Sequence, residues 1–172
     1  MQIALAGFMG VGKSTMGRLL ATELSRSFVD TDEVAQLRIG RSIVECFQAG
    51  DEAIFREAEA EAVREALTGP PSVIALGGGA TLREDTRALL LAKALLVYLH
   101  VTWDEVEQWI SDYAATRPLL QGKSVPEIRE LYLSRLAVYR QAHIQVTVPR
   151  TGPEDAVQSI LEVVGARLAS PS

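Results

Sequence analysis

The feature that most constrains this chain is a glycine-rich motif close to its N-terminus. Residues 7–14 read Gly-Phe-Met-Gly-Val-Gly-Lys-Ser and match the pattern G-x-x-x-x-G-K-[ST]. The motif follows the apolar run Ile3 to Ala6 and opens a segment of helical period that begins at Lys13. A buried strand that turns through such a loop into a helix is a phosphate-binding unit of α/β proteins. The sequence therefore predicts a nucleotide site here.

The chemistry of this loop gives its residues separate tasks. Glycines let successive backbone N–H groups turn inward toward phosphate oxygens, and the N-terminus of the following helix adds partial positive charge. We expect Lys13 to reach the β- and γ-phosphates and the hydroxyl of Ser14 to coordinate Mg²⁺. A chance glycine-rich turn would not require a lysine and a serine in this order. The motif indicates the nucleotide and leaves the phosphoryl acceptor open.

Short apolar runs alternate with helical segments along the rest of the chain. They predict strands at residues 3–6, 28–30, 73–76, 95–99 and 144–148, the last of them an edge strand. This alternation is typical of a parallel sheet with helices on both faces. The 172 residues fit a single domain without an internal repeat. A polar stretch from 111 to 124 interrupts the pattern, and we interpret it as a mobile excursion.

Composition and charge exclude several classes of protein. The net charge of −5 argues against a nucleic-acid binder, so that an anionic ligand must be held by local cations. The single cysteine, Cys46, cannot form an intrachain disulfide and fits a reducing compartment. The N-terminus lacks the basic region of a signal peptide, and the apolar run 89–101 is too short to span a membrane. We expect a cytoplasmic protein with no nucleic-acid or membrane partner.

Two aspartates follow the second predicted strand. Asp30 and Asp32 flank Thr31 at the sheet edge where open α/β proteins bind ligands. One carboxylate can hold the Mg²⁺ shell while the other orients and deprotonates a substrate hydroxyl. The alternative is a helix cap, with Thr31 or Asp32 at the start of a helix that the apolar period predicts from Val34. A phosphate loop on the neighbouring strand favours the catalytic interpretation.

Three arginines are candidates for the cations that phosphoryl transfer to an acidic acceptor needs. Arg56 has Glu52 and Glu59 at helical spacing, so a solvated ion-pair face is the alternative. Arg117 precedes a proline in the excursion and could fold over the nucleotide as part of a lid. Arg135 lies on the helix that follows. Their chemistry alone does not choose among them or exclude plain surface positions.

Three consecutive glycines, Gly77, Gly78 and Gly79, end the third predicted strand. Glycines at this position would let a ligand approach the backbone closely and bond to its N–H groups. The alternative is a flexible connection between a strand and a helix.

Taken together, these motifs resemble the shikimate kinase family over nearly the whole chain. The matching segments are Gly7–Thr15, Asp30–Asp32, Gly40–Ile43 with Phe47, Phe55-Arg56 with Glu59, Leu76–Ala80, Arg117–Leu120 and Arg135 with Tyr139. Each motif is short, but their order and spacing are specific. The chain departs from the family at Asp51-Glu52, where Gly-Glu is common, and at Val11, where Ala or Ser is usual. Neither departure removes a functional group.

The resemblance implies a fold and an activity. The fold is nucleoside-monophosphate-kinase-like, a three-layer α/β sandwich with a five-stranded parallel sheet. It would carry an acceptor-binding segment at about 34–61 and a lid at about 111–124. The implied reaction is transfer of a phosphoryl group from ATP to the 3-hydroxyl of shikimate, with Mg²⁺ as cofactor and a monomer as the acting unit. It belongs to the synthesis of chorismate and the aromatic amino acids.

The resemblance also implies the site residues. The implied catalytic residues are Asp32, the base that holds the substrate hydroxyls, with Lys13 and Arg117. The implied ATP-binding residues are Gly10, Val11, Gly12, Lys13, Ser14, Thr15, Arg117 and Arg150. The implied acceptor-binding residues are Asp32, Arg56, Gly77, Gly78, Gly79 and Arg135, the last arginine joining Arg56 on the carboxylate. Ser14 would bind Mg²⁺ directly, and Asp30 would hold its shell.

Two alternatives remain at this point. One is the same chemistry on another acidic, hydroxylated acceptor, such as gluconate or aminoshikimate. The other is a module that binds ATP without turnover, against which the intact Lys13, Ser14, Asp32 and Arg117 argue.

Overall fold

The computed structural model describes residues 1–113, 120, 122–149 and 151–169. The strands are β1 (Gln2–Ala6), β2 (Ser27–Asp30), β3 (Ser72–Ala75), β4 (Ala94–His100) and β5 (Ile144–Thr147). The helices are α1 (Lys13–Glu23), α2 (Thr31–Ile39), α3 (Ile43–Gln48), α4 (Glu52–Thr68), α5 (Glu84–Lys93), α6 (Trp103–Tyr113), α7 (Val125–Tyr139) and α8 (Pro153–Ala169). A 3-10 turn, Ala80–Leu82, precedes α5.

The strands form one parallel sheet in the order β2-β3-β1-β4-β5. In its centre, Ile3 of β1 lies opposite Val73 of β3 and Leu95 of β4, and all three are buried. Helix α1 packs against α8 and β3, while α5 packs against β4 and α4. The predicted five-stranded, three-layer architecture is confirmed, and β5 lies at the edge as expected.

Local signals in the sequence fix several helix ends. Ser42 and Glu45 form a reciprocal capping box at the start of α3, as their spacing predicts. Thr102 and Glu105 exchange the same kind of bonds at the start of α6. Gly40 closes α2 in the left-handed conformation, with φ of 72°. Each of these helices therefore begins or ends at a residue whose side chain or backbone satisfies the helix terminus.

The strand order places three loops at one edge of the sheet. The glycine-rich loop follows β1, the aspartates follow β2, and the triple glycine follows β3. Because all strands are parallel, these carboxyl-terminal loops meet on the same side. The sequence suggested that β2, which carries the aspartates, is the neighbour of β1, which carries the phosphate loop. This prediction is wrong, because β3 lies between them. Among the described residues, none of the helices has the length and apolarity to cross a bilayer.

Candidate active site

The glycine-rich loop is built for a group with many acceptor oxygens. Gly10 and Gly12 have φ of 86° and 90°, in the left-handed region that side chains with a Cβ rarely adopt. Gly12 is the N-cap of α1, and no described side chain caps this helix end. The N–H groups of the first helical turn therefore remain available to a ligand, and the helix dipole favours an anion there.

Lys13 is folded over the loop that carries it. Its Nζ donates to the carbonyl oxygens of Gly7, at 3.0 Å, and Phe8, at 3.2 Å. These bonds keep the ammonium group beside the backbone N–H groups of the loop, where it could pair with a bound phosphate. The first residue of α1 thus adds a full positive charge to the partial charge of the helix end.

Asp30 connects β2 to the phosphate loop. One of its carboxylate oxygens accepts the Ser14 hydroxyl hydrogen at 2.5 Å, and the other accepts the N–H groups of Asp32 and Glu33. The residue that caps α2 is therefore Asp30, and the suggestion that Thr31 or Asp32 caps it is wrong. The helix begins at Thr31, before the predicted Val34, because this cap supports an earlier first turn.

The Ser14 hydroxyl and the Asp30 carboxylate are suited to magnesium. Mg²⁺ prefers oxygen ligands, keeps several waters and is commonly held by one or two protein groups plus substrate phosphates. The two side chains lie together at the mouth of the phosphate loop, which provides this donor set. No cluster of three or more His, Cys, Asp or Glu with metal-binding geometry occurs within the described ranges. The two oxygen donors at Ser14 and Asp30 fit a Mg²⁺ ion that is also bound by the phosphates of a nucleotide.

A cavity of about 260 Å³ joins the phosphate loop to α3 and α4. The predicted site residues that line it are Gly10, Gly12, Lys13, Ser14, Thr15, Asp30, Asp32, Arg56, Gly78 and Gly79. Its other lining residues, for which no individual role was predicted, are Met9, Ile43, Phe47, Phe55, Glu59 and Leu76. Most of the described nucleotide and acceptor residues therefore share one cavity, whereas Val11, Gly77 and Arg135 are not among its lining residues. Arg117 and Arg150 lie outside the described residues.

Arg56 is anchored at the α4 wall of this cavity. Its guanidinium group donates to Glu52 and to Glu59, and it lies about 5.5 Å from the ring centres of Phe47 and Phe55. Only 25% of the side chain is exposed, so the alternative of a solvated ion-pair face does not describe it. A Cβ at Gly79 would come within 2.5 Å of Nη1, which explains why this position is a glycine. The guanidinium thus faces the cavity in a fixed position.

Arg135 supports the triple glycine from behind. Its side chain is buried, and Nη1 donates to the Gly78 carbonyl at 3.1 Å, beside the Tyr139 hydroxyl, which donates to the same oxygen at 2.8 Å. The buried Nε of Arg135 has no hydrogen-bond partner in the part of the chain that the structure describes. Arg135 therefore has a structural contact that the sequence did not reveal, together with a buried donor that no described residue satisfies.

Glu59 is the functional candidate that sequence reasoning passed over. It is 2% exposed, Oε2 accepts from Arg56, and Oε1 and an Asp32 oxygen both lie close to the position that a Cβ at Gly77 would take. Burial, and then the negative charge of Asp32, raise the pKa of Glu59 to about 7. Its place three residues after Arg56 indicated an ion pair, and it belongs to the Phe55-Arg56 motif of the resemblance, but neither signal gave it a role of its own.

The crowding at Gly77 gives a stability prediction. Gly77→Ala should lower the free energy of unfolding by about 1–3 kcal/mol, because a Cβ there would overlap Glu59 Oε1 and Asp32 Oδ1. Gly78→Ala is the matched control, since the nearest atom to its Cβ would be Arg135 Nη1 at 3.5 Å, an ordinary contact. Urea unfolding of both variants measures the difference. Equal stability of the two variants would contradict the close approach at Gly77.

Comparison with known proteins identifies the same family as the motifs. The shikimate kinase family profile matches residues 9–165. The shikimate kinase of Chromohalobacter salexigens is 41% identical over 173 residues, covering 98% of this chain and 94% of that protein. That of Oceanobacillus iheyensis is 35% identical over 160 residues, covering 93% and 87%. The Acinetobacter baumannii shikimate kinase in complex with shikimate superimposes with a TM-score of 0.88 at 31% identity, covering 96% and 93%.

Proposed function

The chain belongs to the shikimate kinase family, and we propose that it transfers the γ-phosphoryl group of ATP to the 3-hydroxyl of shikimate. The products are shikimate 3-phosphate and ADP, on the route to chorismate and the aromatic amino acids. The observation that carries the proposal is the single cavity shared by Lys13, Ser14, Asp32 and Arg56. Direct phosphoryl transfer requires that the groups that bind the phosphates and the groups that bind the acceptor lie in one cavity.

The nucleotide half of the cavity binds the phosphates of ATP. The N–H groups of residues 10–15, with their two glycines in left-handed conformations, surround the β-phosphate, and Lys13 bridges toward the γ-phosphate. Ser14 would hold Mg²⁺ directly and Asp30 would hold its shell, and the ion would supply neutralisation of charge on the phosphate oxygens. We further propose that Arg117, in the lid expected at about 111–124, and Arg150 contribute to nucleotide binding.

The acceptor half binds shikimate through its hydroxyls and its carboxylate. Asp32 accepts the proton of the attacking hydroxyl, which it can reach from the start of α2 beside the phosphate loop. Arg56 pairs with the carboxylate, and the unpartnered Nε of Arg135 provides a second donor. The backbone of Gly78 and Gly79 lines the ring position, with Gly77 behind it. The acceptor-binding segment is about 34–61 of one domain that spans 1–172.

Replacement of the two arginines separates acceptor binding from nucleotide binding. Arg56→Ala and Arg135→Ala should each raise the KM for shikimate by about 10- to 100-fold, equivalent to about 1.5–3 kcal/mol for a charged hydrogen bond. The KM for ATP should change little, because both groups face the acceptor. Steady-state kinetics with both substrates varied measures the two constants. Exposed arginines on the same helices provide matched controls, Arg64→Ala on α4 and Arg129→Ala on α7.

These variants can also contradict the assignment. If Arg56→Ala and Arg135→Ala weakened ATP binding and left the acceptor KM unchanged, the carboxylate site would lie elsewhere. Because Arg135 also holds the Gly78 carbonyl, its alanine variant needs a melting curve beside the kinetics. Arg135→Lys keeps the charge and loses the planar pair of donors, so an intermediate KM for this variant would support direct pairing.

The test of the proposed function is an ADP-release assay with a panel of acceptors. Shikimate should support turnover well above quinate, gluconate and nucleoside monophosphates, none of which combines its carboxylate and hydroxyl geometry. Preference for gluconate would favour the alternative acceptor class. ATP binding without turnover on any acceptor would favour the nucleotide-binding module. We further propose that the protein acts as a monomer in the cytoplasm, which sedimentation and cell fractionation would test.

A further inference from the structure

Glu59 and Glu52 share one partner but stand in opposite surroundings. Both accept hydrogen bonds from Arg56, Glu52 at 3.3 and 3.2 Å and Glu59 at 3.0 Å. The Glu52 side chain is 52% exposed, whereas that of Glu59 is 3% exposed. Water can therefore stabilise the charge of Glu52 but not that of Glu59. The pair offers a natural comparison between two carboxylates on the same guanidinium group.

The second oxygen of Glu59 is the unusual feature. Oε1 is buried and has no hydrogen-bond partner among the described residues. It lies close to the position that a Cβ at Gly77 would take, as does Oδ1 of Asp32, so the two carboxyl groups approach each other there. An ionised pair in this position repels, whereas one proton between the groups would turn the repulsion into a hydrogen bond. The arrangement therefore has a place for a proton that the proposed phosphoryl transfer does not use.

Charged and titratable groups approach Glu59 from every element around it. They are Asp32 from α2, Arg56 and Glu52 from α4, Arg135 and Tyr139 from α7, and Arg83 from the residues just before α5. Tyr139 is buried and its pKa is raised, chiefly by burial, so it remains neutral. Arg83 is paired with Glu57 and Asp85, which reduces its effect on Glu59. The pKa of Glu59 is therefore raised by burial and by Asp32, and it is lowered by Arg56.

We propose that Glu59 takes up a proton from solvent when the carboxylate of the acceptor binds, so that binding of the acidic substrate and protonation of Glu59 are coupled. The inference rests on the proposed function, in which Arg56 receives that carboxylate. The proton binds to Oε1 of Glu59, and no bond of the substrate is broken. The guanidinium group of Arg56 then forms its ion pair with the acceptor carboxylate, because Glu59 is no longer charged. Glu59 is accordingly a positioning residue that acts through Arg56.

The charge count explains why the proton goes to Glu59. Before the acceptor arrives, Arg56 pairs with Glu59, and the negative charge of Asp32 lies close enough to raise the pKa of Glu59. The acceptor adds another negative charge at the same guanidinium group, and the carboxyl that is already hardest to ionise responds first. Burial and Asp32 hold the pKa of Glu59 near 7 in the unliganded protein, so the change falls within an accessible pH range.

The sign of the pH effect follows from this scheme. Below about pH 6, Glu59 is protonated before binding, and no proton is taken up. Above pH 7 the free carboxyl is ionised, binding must draw a proton from solvent, and affinity falls as pH rises. The Kd for shikimate should therefore increase by about five- to tenfold between pH 6.5 and 8.5, a range in which the substrate carboxylate itself stays ionised.

Titration calorimetry of shikimate binding to the full chain tests the coupling. At pH 8 the binding enthalpy should differ between phosphate and Tris buffers by an amount that corresponds to about 0.5–1 proton taken up per shikimate, and at pH 5.5 the difference should vanish. Glu59→Gln keeps the shape and the bond to Arg56 but cannot titrate, so the buffer dependence and the pH dependence of Kd should both disappear. Glu52→Gln is the matched control, in which proton uptake should persist.

Each outcome bears on a different statement. Equal enthalpies in the two buffers for a protein that binds and phosphorylates shikimate would overturn the inference and leave the proposed function standing. Neither binding heat nor turnover with shikimate would refute the proposed function itself. Uptake that persists in Glu59→Gln would assign the proton to another group. If that variant does not fold, Asp32→Asn decides: because it removes the charge that helps to raise the pKa of Glu59, proton uptake should move to lower pH, and uptake over an unchanged pH range would contradict the inference.

Discussion

Asp32→Asn should lower kcat with shikimate by about 10²- to 10⁴-fold, the usual contribution of a positioned general base. The substitution preserves the shape of the side chain and removes the group that accepts the hydroxyl proton. Nucleotide binding should survive, because Asp32 lies at the start of α2 and the loop that surrounds the phosphates follows β1. The prediction depends on Asp32 facing the cavity, while its neighbour Asp30 supplies the helix cap.

The measurement combines steady-state kinetics with calorimetry of a non-hydrolysable ATP analogue. Asp155→Asn, an exposed carboxylate in the first turn of α8, controls for the loss of one negative charge. Turnover of Asp32→Asn within a few-fold of wild type would show that Asp32 is only part of the scaffold. Loss of ATP affinity with unchanged kcat would show that it serves the nucleotide.

Lys13→Ala should lower kcat by about 10²-fold or more, because a cation that stabilises developing phosphate charge in an enclosed site is lost. The effect should be larger on kcat than on the KM for shikimate, since Lys13 lies on the nucleotide side of the cavity. Lys93→Ala is the matched control, an exposed lysine at the end of α5.

The same variant tests the integrity of the loop. In the unliganded protein Lys13 Nζ holds the carbonyls of Gly7 and Phe8, so its loss could loosen the loop as well as remove a charge. A melting curve shows whether the loop is loosened, because loosening at this sheet edge should lower Tm by a few degrees. An unchanged Tm would assign the loss of turnover to the lost charge. Near-normal turnover of Lys13→Ala would mean that this loop is not the site of phosphoryl transfer.

The sequence predicted the fold well because its signals are local. Continuous apolar runs are long enough to be strands buried on both faces, and reciprocal side-chain bonds such as Ser42 with Glu45 mark helix starts. The order β2-β3-β1 was not accessible in this way, because strand order depends on the crossovers between distant segments. The expectation that β2 adjoins β1 failed for that reason.

Within the site, the features that could not be predicted from the sequence depend on contacts between different helices and loops. Which aspartate caps α2 depends on the extended backbone of Asp30, with φ of −106°, and not on residue type. The bond from Arg135 to the Gly78 carbonyl joins residues 57 positions apart. Spacing on α4 revealed that Glu59 pairs with Arg56, but only packing against α2 revealed that Asp32 faces it too. The environments of Arg135 and Glu59 therefore depend on residues distant in sequence, which the spacing along one helix does not reveal.

The most direct test of the central claim is product analysis with the purified protein. Incubation with ATP, Mg²⁺ and shikimate should give equal amounts of ADP and one phosphorylated acid, and phosphorus–proton NMR should place the phosphate on the 3-hydroxyl. The Asp32→Asn variant in the same experiment should form little of either product. Phosphorylation at another hydroxyl, preference for gluconate over shikimate, or ADP release that is independent of shikimate would contradict the account.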